Sequence, residues 1–148
     1  MQPETHTEEL ILAITRVLPS TQICARIGDA LMFRRLSGYY SLVGIEVAPL
    51  DGRIIKVMGD TTLLTFPTRD PRATVEALRA LQTKADTFWQ AVDRNSRVQV
   101  KVGIGQVVVG MLGPRGDQRL DVVGSALNRL FQAPWSDFEV MPELEQIM

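Results

Sequence analysis

The chain has 148 residues, of which 45% are hydrophobic and 22% are charged, and its formal net charge is −1 at pH 7. This length and composition are those of one ordinary globular domain, and they exclude a largely disordered chain. The basic residues are scattered, so the sequence has no electrostatic footprint for a nucleic acid or an anionic membrane. A single cysteine, Cys24, excludes an internal disulfide and predicts a reducing, cytoplasmic setting.

The N-terminal segment lacks the basic start and the long apolar run of a signal peptide, and its apolar run, 10–14, is too short to span a membrane. Apolar residues at helical spacing predict a helix over 10–18, closed by Pro19. Residues 1–20 are therefore expected to form a lead-in to a core over 21–148. The apolar stretch 21–27 predicts a strand, and Asp29 is expected to cap a helix over 30–48.

The middle and C-terminal parts have clearer local signals. Gly59 and Asp60 between two apolar runs predict a β-hairpin over 53–66. Asp70 and Pro71 are typical of a helix start, and the apolar stripe that follows predicts a long helix.

Residues 97–113 predict two strands around a glycine turn, 119–124 a further strand, Ser125 the cap of a short helix, 137–141 a last strand and Pro142 a final half-turn. This order predicts an α+β fold in a single domain, 1–148: a ferredoxin-like sandwich of mostly antiparallel sheet with helices packed on it.

Three stretches occur in a recognisable order. They are GRIIKVMGDTTLLTF (52–66), VKVGIGQVVVGMLG (100–113) and LDVVGSALNRLFQ (120–132). Taken together, they resemble the catalytic domain of the class III adenylate and guanylate cyclases, although the second stretch is about two residues shorter at its turn. The resemblance covers roughly residues 50–132, and it is poor before residue 50.

The resemblance implies a chemistry. In this family the ribose 3′-hydroxyl of a nucleoside triphosphate attacks the α-phosphate, and two divalent ions (Mg²⁺ or Mn²⁺) are held by two aspartates. Asp60 matches one of these metal aspartates. Lys56 and Asp121 match the residues that read adenine, which implies ATP, and Asn128 matches the catalytic residue that orients the ribose. The family also implies a head-to-tail dimer, with this chain pairing with itself or with a related cyclase domain.

Two positions depart from the family pattern. Gln132 stands one helical turn after Asn128, where the family has an arginine. The second metal aspartate ends the family's first strand, and the nearest similar stretch, 24–27, places Arg26 there. An alternative register brings Asp29 close to the site.

The sequence therefore predicts a cyclase-like domain of cyclic-nucleotide signalling that is catalytically impaired and acts as a regulatory or heterodimer-completing module. Two alternatives stay open: a weakly active adenylate cyclase, and a ligand-free ferredoxin-like interaction domain. RNA binding is not favoured, because stacking aromatic residues and a basic surface are both missing. A turn role for Asp60 and a solvated strand position for Lys56 also stay open, as does the presence of an upstream sensor domain.

Overall fold

A computed structural model describes residues 4–148 of the chain. Within this range the strands are β1 (Thr5–Leu18), β2 (Arg53–Met58), β3 (Thr61–Phe66), β4 (Arg97–Leu112), β5 (Arg119–Val123) and β6 (Phe138–Val140). The helices are α1 (Ser20–Ile27), α2 (Asp29–Val47), α3 (Pro71–Gln90), α4 (Ser125–Gln132) and α5 (Pro142–Glu145), with a short 3₁₀ turn at Ala48–Leu50. No helix in residues 4–148 is both long and apolar enough to cross a membrane.

The strands form one sheet in the order β2-β3-β1-β4-β5, with β6 added beside β4. Every pairing is antiparallel except that of β6 with β4. Helices α1, α2, α3 and α5 pack on one side of the sheet, which we call the helical face. Helix α4 packs on the other side, which we call the α4 face. The predicted α+β class, a mostly antiparallel sheet covered by helices, is confirmed.

The predicted N-terminal helix is wrong, because residues 10–18 belong to the central strand β1. β1 pairs with β3 on one side and with β4 on the other. Leu12 packs on the α4 face while Ile11 and Ala13 pack on the helical face. A strand buried on both faces has apolar residues at successive positions, and such a run does not distinguish a strand from a helix. Of the predicted lead-in 1–20, residues 5–18 are thus the central strand of the sheet, and residues 1–3 lie outside the described residues.

The strand predicted over 21–27 is also wrong, since this stretch forms α1. Ile23 is fully buried and reaches the helical-face core, while Thr21, Gln22 and Arg26 are exposed. One apolar anchor with polar neighbours around it is enough for a short helix that rests on a larger core. The β-branched residues at its ends explain the wrong prediction, because propensity is a weak guide that packing overrides.

The predicted glycine turn within 97–113 does not exist, because β4 runs unbroken through this region. Its glycines provide room instead. A Cβ on Gly105 would lie 2.3 Å from the Cβ of Ala126, and one on Gly110 would lie 2.7 Å from Cγ2 of Thr5. The real turn follows at 113–118, between β4 and β5. Close approach of α4 and of β1 therefore explains these glycines.

The remaining predicted elements are confirmed. Asp70 caps α3 by accepting a hydrogen bond from the amide of Ala73 at 3.0 Å. The predicted capping roles of Asp29 and Ser125 are wrong, because these residues are the first helical residues of α2 and α4, after Gly28 and Gly124, and neither helix has a side-chain cap. The β2–β3 hairpin, β5, β6 and the half-turn at Pro142 all form where the sequence predicts them.

Candidate functional site

Asp60 lies in the tight turn between β2 and β3. Gly59 before it has a φ of +62°, which only glycine adopts readily. One carboxylate oxygen of Asp60 accepts a hydrogen bond from the Ser20 hydroxyl at 2.9 Å, and the other lies 3.3 Å from the hydroxyl of Thr61. The backbone oxygen of Asp60 accepts from the Val17 amide at 3.0 Å. Asp60 therefore makes the turn and ties it to the end of β1.

The end of β1 has a cation where the family resemblance leads one to expect a carboxylate. Arg16 pairs with Thr61 across the β1–β3 ladder, immediately beside Asp60. Thr15 next to it points to the helical face, where its hydroxyl contacts Thr62 at 2.6 Å and the hydroxyl of Tyr39 at 3.1 Å. The four residues that end β1, 15–18, include no acid.

This arrangement corrects the predicted register. Arg26 is on α1 and not on a strand, and it pairs with the carbonyl of Val92 and with Asp93 at 3.7 Å. Asp29 begins α2, where its carboxylate lies 3.5 Å from the thiol of Cys24. The basic residue at the end of the first strand is thus Arg16, and the Arg26 assignment was wrong because 24–27 is helical.

Lys56 and Asp121 come together although they lie on different edge strands. The Lys56 ammonium donates a hydrogen bond to the Asp121 carboxylate at 3.2 Å. The other oxygen of Asp121 accepts from the amide of Val122 at 2.8 Å. Lys56 pairs with Leu63, whose side chain packs on the α4 face, whereas Asp121 alternates with Leu120 and Val122, which pack on that face. The ion pair therefore lies at the edge where β2 and β5 meet. The sheet is curved enough for β2 and β5 to meet there.

Asn128 lies on the exposed side of α4. Ala126, Leu127 and Leu130 bury the inner side of this helix against the sheet. Asn128, Arg129 and Gln132 are therefore exposed. Asn128 is on the helix that packs on the α4 face, and the structure shows no hydrogen bond between its side chain and that of Lys56 or Asp121.

Sequence reasoning missed a second polar group on the α4 face. Arg16 donates a hydrogen bond from Nε to Oε1 of Gln99 at 2.8 Å, and its guanidinium carbon lies 4.3 Å from the centre of the Trp135 ring. The Lys101 ammonium lies 4.3 Å from the same ring centre and donates to the carbonyls of Phe131 at 2.9 Å and Ala133 at 2.8 Å. We call Arg16, Gln99, Lys101 and Trp135 the cation cluster.

Lys101 is fully buried in the cation cluster. Burial, and then the nearby charge of Arg16, lower the pKa of the Lys101 ammonium below its ordinary value. Its two carbonyl partners lie at the C-terminal end of α4, where a positive charge is favourable. A lysine on a strand of alternating apolar residues was the only sequence signal for this contact.

A cavity of about 600 Å³ opens near the other end of the α4 face. Ile55, Leu120 and Val122, the chain neighbours of Lys56 and Asp121, line part of it. Its charged lining includes Arg53 and Glu8. This volume falls within the range of roughly 300–1,000 Å³ that is common for small-molecule sites.

Comparison with solved structures identifies the fold of the chain. No protein-family model matches the chain, and no curated protein matches it in sequence. The adenylyl cyclase CyaB from P. aeruginosa superimposes with a TM-score of 0.86 at 15% identity, over 97% of this chain and 82% of that one. The chain has the fold of a class III cyclase catalytic domain.

Other cyclases with this fold are equally distant in sequence. A bacterial light-regulated adenylyl cyclase gives a TM-score of 0.85 at 14% identity, over 98% of this chain and 46% of its own length. The guanylate cyclase domain of RhGC from Catenaria anguillulae, solved with GTP, gives 0.78 at 12% identity, over 97% of this chain and 83% of that one. This chain thus spans less than half of the light-regulated enzyme, and the likeness concerns the fold.

The residues of this cyclase fold do not fit the two-metal site that the resemblance implies. Asp60 offers one carboxylate, already bonded to two hydroxyls, and Arg16 occupies the neighbouring strand position. Among residues 4–148, no three His, Cys, Asp or Glu side chains are grouped so that they could hold a metal ion. A fixed positive charge beside Asp60 disfavours a divalent cation at this position.

Proposed function

We propose that this protein is a cyclase-homology module of cyclic-nucleotide signalling that binds ATP through its base-reading half and is catalytically impaired on its own. The single observation that carries the proposal is a contrast between two groups of side chains on the sheet. Lys56 and Asp121 are paired in the place of the base-reading residues, while Arg16 takes the place of a metal carboxylate.

Lys56 and Asp121 support recognition of adenine. An ammonium donates to ring N1 of adenine, and a carboxylate accepts from its 6-amino group, whereas guanine presents the opposite pattern at these positions. The pair is only half-exposed, with side-chain exposures of 40% for Lys56 and 20% for Asp121. Partial burial strengthens a polar contact to a bound base. Asn128, exposed on α4, is proposed to orient the ribose.

Two missing groups support the proposed impairment. Arg16 replaces a metal carboxylate and Gln132 replaces the arginine that would stabilise charge on the phosphorus centre. Removal of one such group costs on the order of 10²–10³ in rate. Loss of both together reaches on the order of 10⁵, or about 7 kcal/mol, before non-additivity reduces the figure.

Exposed apolar side chains support a role that needs a partner cyclase domain. They lie on three strands of the sheet that carry or flank the site, where the exposed fractions run from 41% to 56%. These residues are Val57, Met58, Val108, Met111, Leu112 and Val123. Apolar surface gathered around a polar site is typical of a protein interface. The proposed partner is a second copy of this chain or a complete cyclase domain, in a head-to-tail dimer whose sites lie between the subunits.

A complementation assay tests the proposal. The probe is an active class III cyclase domain whose own base-reading lysine and aspartate are replaced by alanine. Adding the present chain is expected to restore cyclic AMP formation from ATP and Mn²⁺, because its Lys56 and Asp121 complete one of the two shared sites. The matched control is the Lys56→Ala variant, which should restore nothing.

The same assay separates the other functions. Cyclic AMP formed by the chain alone, at a rate near that of a complete cyclase, would mean that the impairment is wrong. Absence of both restoration and ATP binding would leave a ligand-free interaction domain. The cytoplasmic location stays a prediction from sequence.

A further inference from the structure

Arg16 is held in a fixed orientation on the α4 face. Its Nε hydrogen bond to Gln99, at 2.8 Å, and the Trp135 ring against its guanidinium plane together define where the guanidinium lies. Arg16 is half-buried, whereas Gln99 is only 8% exposed. Within residues 4–148, the side chain of Arg16 donates its hydrogen bond from Nε and from neither terminal amino group, and no ion pair within 4.0 Å includes Arg16. The donor edge of the guanidinium is therefore ordered and free.

A second positive charge, that of Lys101, lies beside the Arg16 guanidinium. Lys101 stacks on the same Trp135 ring, and its hydrogen bonds go to two neutral carbonyls. In the described part of the chain Lys101 has no ion pair within 4.0 Å. Two cations on one ring, with no acid between them, give this part of the α4 face a positive potential that only an anion can neutralise.

Asp60, the acid next to the strand partner of Arg16, does not neutralise this positive charge either. Asp60 is the neighbour of Thr61, the residue opposite Arg16, yet its two carboxylate oxygens turn to the hydroxyls of Ser20 and Thr61. Ionic contact between Arg16 and Asp60 is absent among the described residues. The place where a divalent cation would meet two carboxylates has instead one engaged carboxylate and one available guanidinium.

We propose that Arg16, supported by Lys101 and Trp135, forms a phosphate-binding site that holds the triphosphate of the nucleotide without a divalent metal ion. A guanidinium presents two parallel donors that match two phosphate oxygens, and this geometry gives strong, charge-assisted hydrogen bonds. Lys56, which pairs with Leu63, lies on the same face. The inference rests on the proposed nucleotide-binding function and adds to it that the fixed cation replaces the metal as the phosphate partner.

Calorimetric titration of the full chain in excess EDTA and in Mn²⁺ tests this site. The probes are a non-hydrolysable ATP analogue, inorganic tripolyphosphate and adenosine. The wild-type protein is expected to bind the first two in EDTA, with an affinity that Mn²⁺ changes less than about twofold. Arg16→Gln should weaken both by about tenfold or more, which corresponds to about 1.4 kcal/mol.

Two further variants sharpen the test. Arg16→Asp places a carboxylate beside Asp60, and it is expected to abolish binding in EDTA and to make binding depend on Mn²⁺. Arg26→Gln, at an exposed helical arginine paired with Asp93, is the matched control and should bind like the wild type. Circular dichroism and thermal unfolding of each variant show that it is folded.

The outcomes distinguish this inference from the proposed function. Adenosine binding that survives in Arg16→Gln, with loss of tripolyphosphate binding, supports both. Tripolyphosphate binding without adenosine binding supports the phosphate site and contradicts base reading by Lys56 and Asp121. ATP binding that requires Mn²⁺ in the wild type, equal affinities for wild type and Arg16→Gln, or no binding of tripolyphosphate would overturn the phosphate site.

Discussion

Two regions of the sheet differ in whether their side chains match those that the cyclase resemblance implies. At the edge where β2 meets β5, Lys56 and Asp121 form the pair that a cyclase fold would use to read a base. At the end of β1, the same fold carries Arg16 where the resemblance implies a carboxylate. Lys56, Asp121 and Arg16 are each only partly buried, so the charge at either region can change while the sheet stays intact. A fold match of this quality therefore says little about which half of a site is functional.

The first prediction concerns a substitution that displaces α4, the helix on which both regions depend. In Gly105→Ala the new Cβ would lie 2.3 Å from the Cβ of Ala126, so the helix or the strand must shift. Overpacking of this kind should lower the free energy of unfolding by about 2–3 kcal/mol in urea denaturation. Gly44→Ala is the matched control, because its Cβ meets only the end of Ile54 at 3.8 Å. The control should stabilise the protein by about 0.5–1 kcal/mol.

The second prediction isolates the base-reading region. Lys56→Ala removes the donor to adenine and leaves Asp121 without its ion-pair partner. We expect the affinity for adenosine and for the ATP analogue to fall by about tenfold to a hundredfold, or about 1.4–2.7 kcal/mol. Lys84→Ala, which removes an ion pair with Glu46 on the helical side, should leave both affinities unchanged. An equal loss in the two variants would show that the effect is not specific to the site.

The third prediction concerns the buried cation of the cation cluster. Lys101→Met leaves the carbonyls of Phe131 and Ala133 without a donor, which should cost about 1–2 kcal/mol of stability at pH 7. Burial lowers the pKa of Lys101 in the folded chain, so the unfolded chain binds this proton more tightly. Wild-type stability should then rise, relative to the variant, as the pH increases from the lowered pKa towards the ordinary value of 10.5. Urea unfolding of both proteins at pH 7, 8.5 and 10 measures this difference, and a constant difference would contradict it.

The smallest predicted effect lies behind the end of β1, on the helical face. Tyr39→Phe removes the hydroxyl that contacts Thr15, at a cost of about 1 kcal/mol. Burial raises the pKa of Tyr39 to about 12, so the unfolded chain loses this proton first. The wild-type contribution is present below pH 10 and is lost as the pH rises through 12. Unfolding at pH 9 and pH 11 should show the two proteins converging; a gap that widens at pH 11 would be the opposite result.

The parts of the fold that could be predicted from sequence have local causes. Gly59 and Asp60 define a turn, and Asp70 with Pro71 defines a helix start, because a few neighbouring residues decide each of them. β1 could not be predicted, because an apolar run that is buried on both faces owes its form to two partner strands far along the chain. The unbroken β4 was missed for a related reason. Gly105 leaves room for the close packing of α4 and does not form a turn.

The candidate site divides in the same way. The family resemblance assigned both Lys56 and Asp121 to adenine reading, and the structure brings their charged groups to 3.2 Å. The role of Asp60 in metal binding stays a prediction, and its role in the turn is confirmed. Arg16 was missed, because its meaning depends on its register against Thr61 and on Trp135, and both are long-range contacts.

The central position of β1 also determines how the chain must assemble. β1 comes first in the chain, yet its long partner β4 begins only at Arg97. Thr5 therefore cannot pair until Gly110 has been synthesised. Until then β1 has β3 on one side and an open, apolar edge on the other. Pairings so distant in sequence slow folding, and an open edge favours association between chains. A chain that ended before β4 would thus expose one edge of its central strand, and we would expect it to aggregate.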